Sequence, residues 1–291
     1  MYTDMFGKVR YKIGLHIHTT LSDGHVSPEE AAGIYREAGF DAIAITDHWK
    51  YHAADTLSGL PILAGCEYNM GASDTSVDVM HIVGVGMDRA PELQKETATR
   101  QDVIHAIRAN GGMAILAHPA WSLNCPEHAE ALTGFSAVEI YNTVSNVNQS
   151  SRPYSGYFVD LLSNRGTFYP LIATDDTHYY DGSDETKSWI MVHAESLQKE
   201  DLFSAIEHGD FYATQGPELH VRREGDLLIA DCSPCIMINF LSNAAWGPDR
   251  ITRGKDLTHA EYKIKAWDKW VRVEIHDADG RYAWSNIIRI D

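Results

Sequence analysis

Residues able to ligate a metal recur after short apolar runs throughout the first 178 residues of this 291-residue chain. The series opens with His16-Ile17-His18 and closes with Asp176-Thr177-His178, with Asp23, His48, Glu67, His81 and His118 between them. Alternate residues of a strand share one face, so His16 and His18 point the same way and can share one cation. Asp176 and His178 repeat that spacing. Leu21-Ser22-Asp23-Gly24 adds a carboxylate on a loop that glycine allows to turn, and Thr46-Asp47-His48, Gly65-Cys66-Glu67 and Ala117-His118-Pro119 each close an apolar run. A single histidine such as His81 reads more simply as a hydrogen-bonded core residue. Nine ligand-type residues in series predict one polynuclear metal centre assembled from many loops. The chemistry such a centre serves is hydrolysis by activated water.

The elements that must carry these residues follow an alternating rhythm. Strand-like runs are expected over 12–17, 42–46, 61–66, 81–85, 113–117, 137–141, 168–174, 188–193 and 211–214. Helices are expected after the Ser27-Pro28-Glu29-Glu30 start signal and over 93–109, 154–164 and 200–207. Seven or so such β/α repeats with short connections favour a barrel whose chemistry lies at the C-terminal ends of its strands. Beyond Gly216-Pro217 the helical pattern stops. Runs over 262–266, 271–276 and 286–290, with Asp277-Ala278-Asp279-Gly280 as a turn, read as strands. The division expected is therefore a barrel over 1–215 and a small β-rich domain over 216–291.

Composition narrows the partners. A formal charge of −17 argues against a nucleic acid polymer or an anionic membrane, both of which call for a basic surface. A small-molecule substrate is expected instead, and oligomeric state is not legible. No apolar run is long enough to span a bilayer and the first ten residues are polar, so a cytoplasmic location is expected. Cys66, Cys125, Cys232 and Cys235 are read as incidental thiols, because Cys232-Ser233-Pro234-Cys235 lacks the second pair a zinc knuckle needs.

In their order, the H-x-H, S-D-G, T-D-H, G-x-E, isolated H, A-H-P and D-x-H motifs resemble those of the PHP superfamily, named for polymerase and histidinol phosphatase. The segment from Val273 to Asn286 also resembles the C-terminal segment of the CehA/McbA-like branch, which includes enzymes cleaving a carbamate ester or an amide. The resemblance implies an α/β fold, a distorted (β/α)7 barrel, holding two to three divalent metal ions. His16, His18, Glu67 and Asp176 would hold the first. Glu67 would bridge to a second held by His81 and His118. A third would use His48 and His178 with Asp23 nearby, and Asp23 departs here from members that carry histidine in that loop. Zinc, manganese and iron all suit these ligands.

On this reading Glu67, Asp176 and His178 are the catalytic residues of a metal-dependent phosphoesterase acting on a nucleotide or sugar phosphate. One alternative keeps the metals and cleaves an amide or carbamate ester; another is a metal-binding module without turnover. Arg152, which can fork onto phosphate, and Asn142, which can donate to a substrate oxygen, are the expected substrate contacts, although each also fits an ordinary loop role. Asp47 is expected to orient a ligand imidazole or cap its loop, and Glu139 to be an inner carboxylate or partner of a ligand. His52 is placed on the rim, and Trp267, Trp270 and Trp284 as anchors of the small β core.

Overall fold

The computed structural model describes residues 1–73, 75, 78–147 and 150–290. Its framework is mixed α/β, with two sheets. The smaller sheet orders its strands Leu171–Thr174, Phe135–Asn142, Met113–Leu116, Met80–Val85 and Gly65–Met70. In the larger, Val9–Gly14, Ala42–Ala44 and Leu60–Leu63 run parallel. Ala42–Ala44 here and Met113–Leu116 in the smaller sheet are buried throughout, which explains why they read as continuous apolar sequence.

The two sheets meet at the ends that carry the candidate ligands. Ile17 bridges Thr177 and His48 bridges Glu67. Asp176 N donates to His16 O at 2.9 Å, Thr46 N to Ile17 O at 2.8 Å and Glu67 N to Thr46 O at 3.0 Å. Segments far apart in sequence are thereby tied backbone to backbone at the place where their ligand side chains project.

Helix Pro28–Glu37 forms as its sequence predicts, with Ser27 and Glu30 making a reciprocal capping box and Ala31, Ala32 and Tyr35 buried. The helix expected over 93–109 begins only at Arg100. Thr99 accepts from Asp102 N, and Asp102 accepts from Thr99 N, so the cap sets the start there. Leu93 and Ala98 still pack on the core without being helical, which is why their spacing misleads. The expected uniform parallel rhythm also fails in two stretches, one of them Trp189–Val192, which pairs antiparallel with both Val9–Gly14 and Phe211–Thr214. Gly65–Met70 pairs antiparallel with Met80–Val85, and that strand pairs antiparallel with Met113–Leu116.

The tail is richer in strand than its sequence suggests. Leu227–Ser242 is a 16-residue strand pairing with Leu219–Glu224, Ile251–Lys263 and Trp270–His276. Pro234 reads as a strand breaker, but the register shifts between Asp231 and Cys235, and a bulge tolerates the missing N–H. Phe211–Thr214 pairs with Tyr282–Trp284, so the ladder runs without interruption from the first 215 residues into the tail. Trp270 and Trp284 are buried as anchors, whereas Trp267 is exposed.

Candidate metal centre

All nine expected ligands converge. They fall into three overlapping sets: His16, His18, Glu67 and Asp176; Glu67, His81 and His118; and His18, Asp23, His48 and His178. In the first set, His16 Nε2 lies 3.3 Å from Glu67 Oε2 and 3.1 Å from Asp176 Oδ1. His18 Nε2 lies 3.0 Å from Glu67 Oε2, 3.1 Å from Asp176 Oδ1 and 3.2 Å from His16 Nε2. A tetrahedral ion with bonds of about 2.0–2.1 Å sets its ligand atoms about 3.3 Å apart, so these separations are the edges of an ion's coordination shell. Glu67 Oε2, Asp176 Oδ1 and His48 Nδ1 are buried without a hydrogen-bond partner. Three such orphans side by side would be costly in a finished core, and a divalent ion satisfies them. The residues present therefore fit the metal group that the motifs imply.

The second set hangs on the other oxygen of Glu67. His81 Nδ1 stands 3.0 Å and His118 Nε2 3.5 Å from Glu67 Oε1. Register supplies part of this, since Asn69 opposes His81 and Glu67 sits two residues along on the same face. The third set is looser and nearer solvent. His48 Nε2 and His178 Nε2 each lie 3.5 Å from an Asp23 oxygen, and the Asp23 side chain is 53% exposed.

Surrounding groups fix how the ligands point. Buried Glu139 accepts from His16 Nδ1 at 2.7 Å, His118 N at 2.8 Å, Asn142 Nδ2 at 2.9 Å and Thr174 Oγ1 at 2.8 Å. The proton on His16 Nδ1 leaves its Nε2 lone pair aimed at the cluster. His178 does likewise, with Nδ1 2.7 Å from Asp176 O. Asp47 accepts from Thr19 N, Ser22 N and both their hydroxyls, at 2.6–3.1 Å, so it closes the loop that carries Asp23 rather than orienting a ligand imidazole. His52 donates to Asp47 at 2.7 Å and stays on the rim. At Gly24 a Cβ would come within 2.5 Å of His18 O, so only glycine permits that loop. His118 (φ 27°) and Asp176 (φ 54°) adopt left-handed backbone that side-chain residues rarely take. Strain of this kind persists only where the surroundings enforce it, as Glu139 does by holding His118 N.

Electrostatics follow from this crowding. Burial alone would push His16 and His18 down, but the carboxylates of Asp176, Glu67 and, for His16, Glu139 raise both well above the ordinary value of 6.5. Burial would likewise raise Glu67 and Asp176, yet the imidazoles around them hold both low. His48 goes the other way, pushed by burial to about 4. Ion-free protein thus keeps protons on His16 and His18 at neutral pH, and an incoming ion must displace them. Apparent ion affinity should then rise with pH by about tenfold per unit for each proton displaced, up to the raised pKa values. The same protons favour the ion-free fold on the acid side, a contribution lost as pH rises through those values. Calorimetry at pH 7 in buffers of different ionisation heat should show about one to two protons released as zinc binds; no release would contradict this.

Neither expected substrate contact, Arg152 or Asn142, lies on the wall of the cavity over the cluster. Arg152 is exposed. Asn142 is fully buried, and both ends of its amide are engaged. Nδ2 donates to Glu139 and, at 3.1 Å, to Asp176 Oδ2, while Oδ1 accepts from Ser145. Its amide thereby holds the Glu139 and Asp176 carboxylates. The cavity, about 280 Å³, is instead walled by His25, Trp121 and Tyr179, with no lysine or arginine among the described lining residues. The Trp121 ring sits 4.9 Å from that of His118 and 5.4 Å from that of His81. The sequence signal for Trp121 was its place three residues past a ligand on the same loop. A larger hollow of about 430 Å³ lies by Arg10 and His220, at the far end of the first strand, and its buried Asp4 is already paired with Arg10 at 2.7 Å.

Acid and imidazole sets that overlap at Glu67 and at His18 make a cluster able to hold metal ions, as a metal-dependent hydrolase requires. The chain belongs to the PHP family: the PHP domain model matches residues 14–200. It is by that membership a hydrolase. The match ends before the tail, so the CehA/McbA-like resemblance rests on the tail motif alone. Among solved structures, a two-domain protein from Bacteroides vulgatus, described as containing a predicted PHP-like metal-dependent phosphoesterase, is similar at 16% identity and a TM-score of 0.57. That likeness covers 100% of this chain and 97% of the other. An amidohydrolase from Chromobacterium violaceum is similar at 16% identity and a TM-score of 0.40, covering 59% of this chain and 89% of the other. The lesion-specific endonuclease Q of Pyrococcus furiosus is similar at 14% identity and a TM-score of 0.47, covering 69% of this chain and 56% of the other. No curated protein matches in sequence.

Proposed function

We propose that the chain is a phosphoesterase acting on a small phosphorylated metabolite, a nucleotide or sugar phosphate, with two to three zinc, manganese or iron ions. The observation that supports it most is the set of 3.0–3.3 Å separations among His16, His18, Glu67 and Asp176. When bound, paired ions bring the pKa of water to near 7 and offset charge building on phosphorus. Glu67 spans the first two sets, one oxygen to each. Asp176 does the same less tightly, with Oδ1 toward the first set and Oδ2 3.6 Å from His118 Nε2. His178, tethered through Nδ1, presents Nε2 at the cavity edge. The unit that carries this chemistry is taken as 1–215, with 216–291 as a β-rich companion.

A second reading has its own support. A cavity with no lysine or arginine among its described lining residues and with Trp121 as a wall suits an amide or carbamate ester of an aromatic compound better than it suits phosphate. The charge of −17 still weighs against a nucleic acid polymer. A panel of phosphomonoesters, phosphodiesters, aryl carbamates and a lesion-bearing oligonucleotide, assayed with each metal, separates these. Small phosphoesters should be turned over fastest. Turnover confined to aryl carbamates would replace the first reading by the second, and none at all with ions bound would leave a metal-binding module.

A further inference from the structure

The tail carries a buried polar network that the reaction itself does not call on. Arg272 is buried and forks onto Asp160 of helix Gly156–Asn164, with Nε to Oδ1 at 2.7 Å and Nη2 to Oδ2 at 3.0 Å. Its Nη1 donates to Glu274 Oε2 at 3.2 Å and its Nη2 to the Tyr154 hydroxyl at 3.2 Å. The Tyr154 hydroxyl in turn donates to Glu274 Oε2, which also accepts from Trp284 Nε1 at 3.2 Å. The Tyr154 ring stacks near Trp284, and Trp284 stacks on Tyr141 with centroids 5.3 Å apart. This network thus ties the tail to Asp160 and to Tyr154.

That tyrosine stands in a turn that reaches the metal centre from two sides. Asn142 N donates to Pro153 O at 3.0 Å, and Ser155 N to Ile140 O at 2.8 Å, so the turn docks on the strand end carrying Asn142. Asn142 then orients Glu139 and Asp176. On the other side, Ala120 N donates to Ser155 Oγ at 3.2 Å, holding the loop that begins with left-handed His118. A shift of this turn would move His118 and Asp176, which belong to adjoining ligand sets and lie 3.6 Å apart. Outer groups of this sort typically alter metal affinity 10- to 100-fold when they touch a ligand directly, and these act one step further out.

We propose that Arg272 and Glu274 are positioning residues of the metal centre, acting through Tyr154 and the 153–155 turn on His118 and Asp176. The inference rests on the metal-centre reading. Its test measures zinc affinity by chelator competition, together with thermal stability, for the full chain and for Tyr154→Phe, Glu274→Gln and Tyr262→Phe. The last is a matched control, because it removes a hydroxyl bonded to Asp268 at 2.7 Å within the same tail but away from the 153–155 turn. Tyr154→Phe and Glu274→Gln should weaken the binding of one ion by about threefold to tenfold, below the direct outer-group range. Tyr262→Phe should lower thermal stability alone. Unchanged affinity in the first two variants, or equal weakening in all three, overturns the proposal. A parent chain that binds no zinc overturns the metal-centre reading itself.

Discussion

Replacing Glu67 by alanine should abolish turnover, by about a thousandfold or more, while the chain stays folded. A loss of that size corresponds to about 4 kcal/mol of transition-state stabilisation. The reason is geometric: His16, His18 and His48 converge on Glu67 Oε2, and His81 and His118 on Oε1, all within 3.0–3.5 Å. No other carboxylate is shared so widely in the cluster, so its loss removes the bridge and part of two ion shells together. Folding should survive because the partners can respond. The raised His16 and His18 lose one of the charges that holds them up, and they release protons instead of remaining buried as unpaired cations. Steady-state kinetics and circular dichroism check both halves, and turnover above a tenth of the parent's would refute the bridging role.

Glu139→Ala should behave differently, damaging stability as well as ion binding. Glu139 is wholly buried and accepts four hydrogen bonds, two of them from ligand residues His16 and His118. Truncation strands the Asn142 amide, the His118 N–H and the Thr174 hydroxyl, and each unsatisfied buried group costs about 1–3 kcal/mol. A total of about 3 kcal/mol or more lowers the melting temperature by on the order of 10 °C for a chain of this size. The His16 ring also loses the partner that fixes its tautomer, which should weaken ion binding about 10- to 100-fold. Scanning calorimetry with and without zinc reads both effects. A melting temperature within a degree or two of the parent's would show that Glu139 is not the hub described here.

Much of the site was legible because ligand chemistry leaves a mark on sequence. Histidine and acid types had to follow apolar strand cores, so their order and spacing survive in one dimension. Glu139 was harder to place, since a lone glutamate within an apolar run, Ser136 to Tyr141, is equally consistent with an inner carboxylate or a partner of a ligand. Arg152 drew notice because an arginine near a strand end resembles an anion contact, and nothing local records that its side chain is exposed. For Asn142 the residue type announced polarity, but its partners, Glu139, Asp176 and Ser145, meet only in the fold. The antiparallel course of Met80–Val85 was invisible because burial on both faces erases the alternation that distinguishes strand direction or pairing. In the tail, Pro234 hid a long strand whose bulge can be seen only from its partners.

Ion content of the purified chain bears most directly on the whole account. Elemental analysis, after loading with zinc or manganese and removal of excess, should return about two to three equivalents per chain, the number the three overlapping sets can hold. Fewer than one equivalent with either ion would mean that these imidazoles and carboxylates, close as they lie, do not form a polynuclear centre.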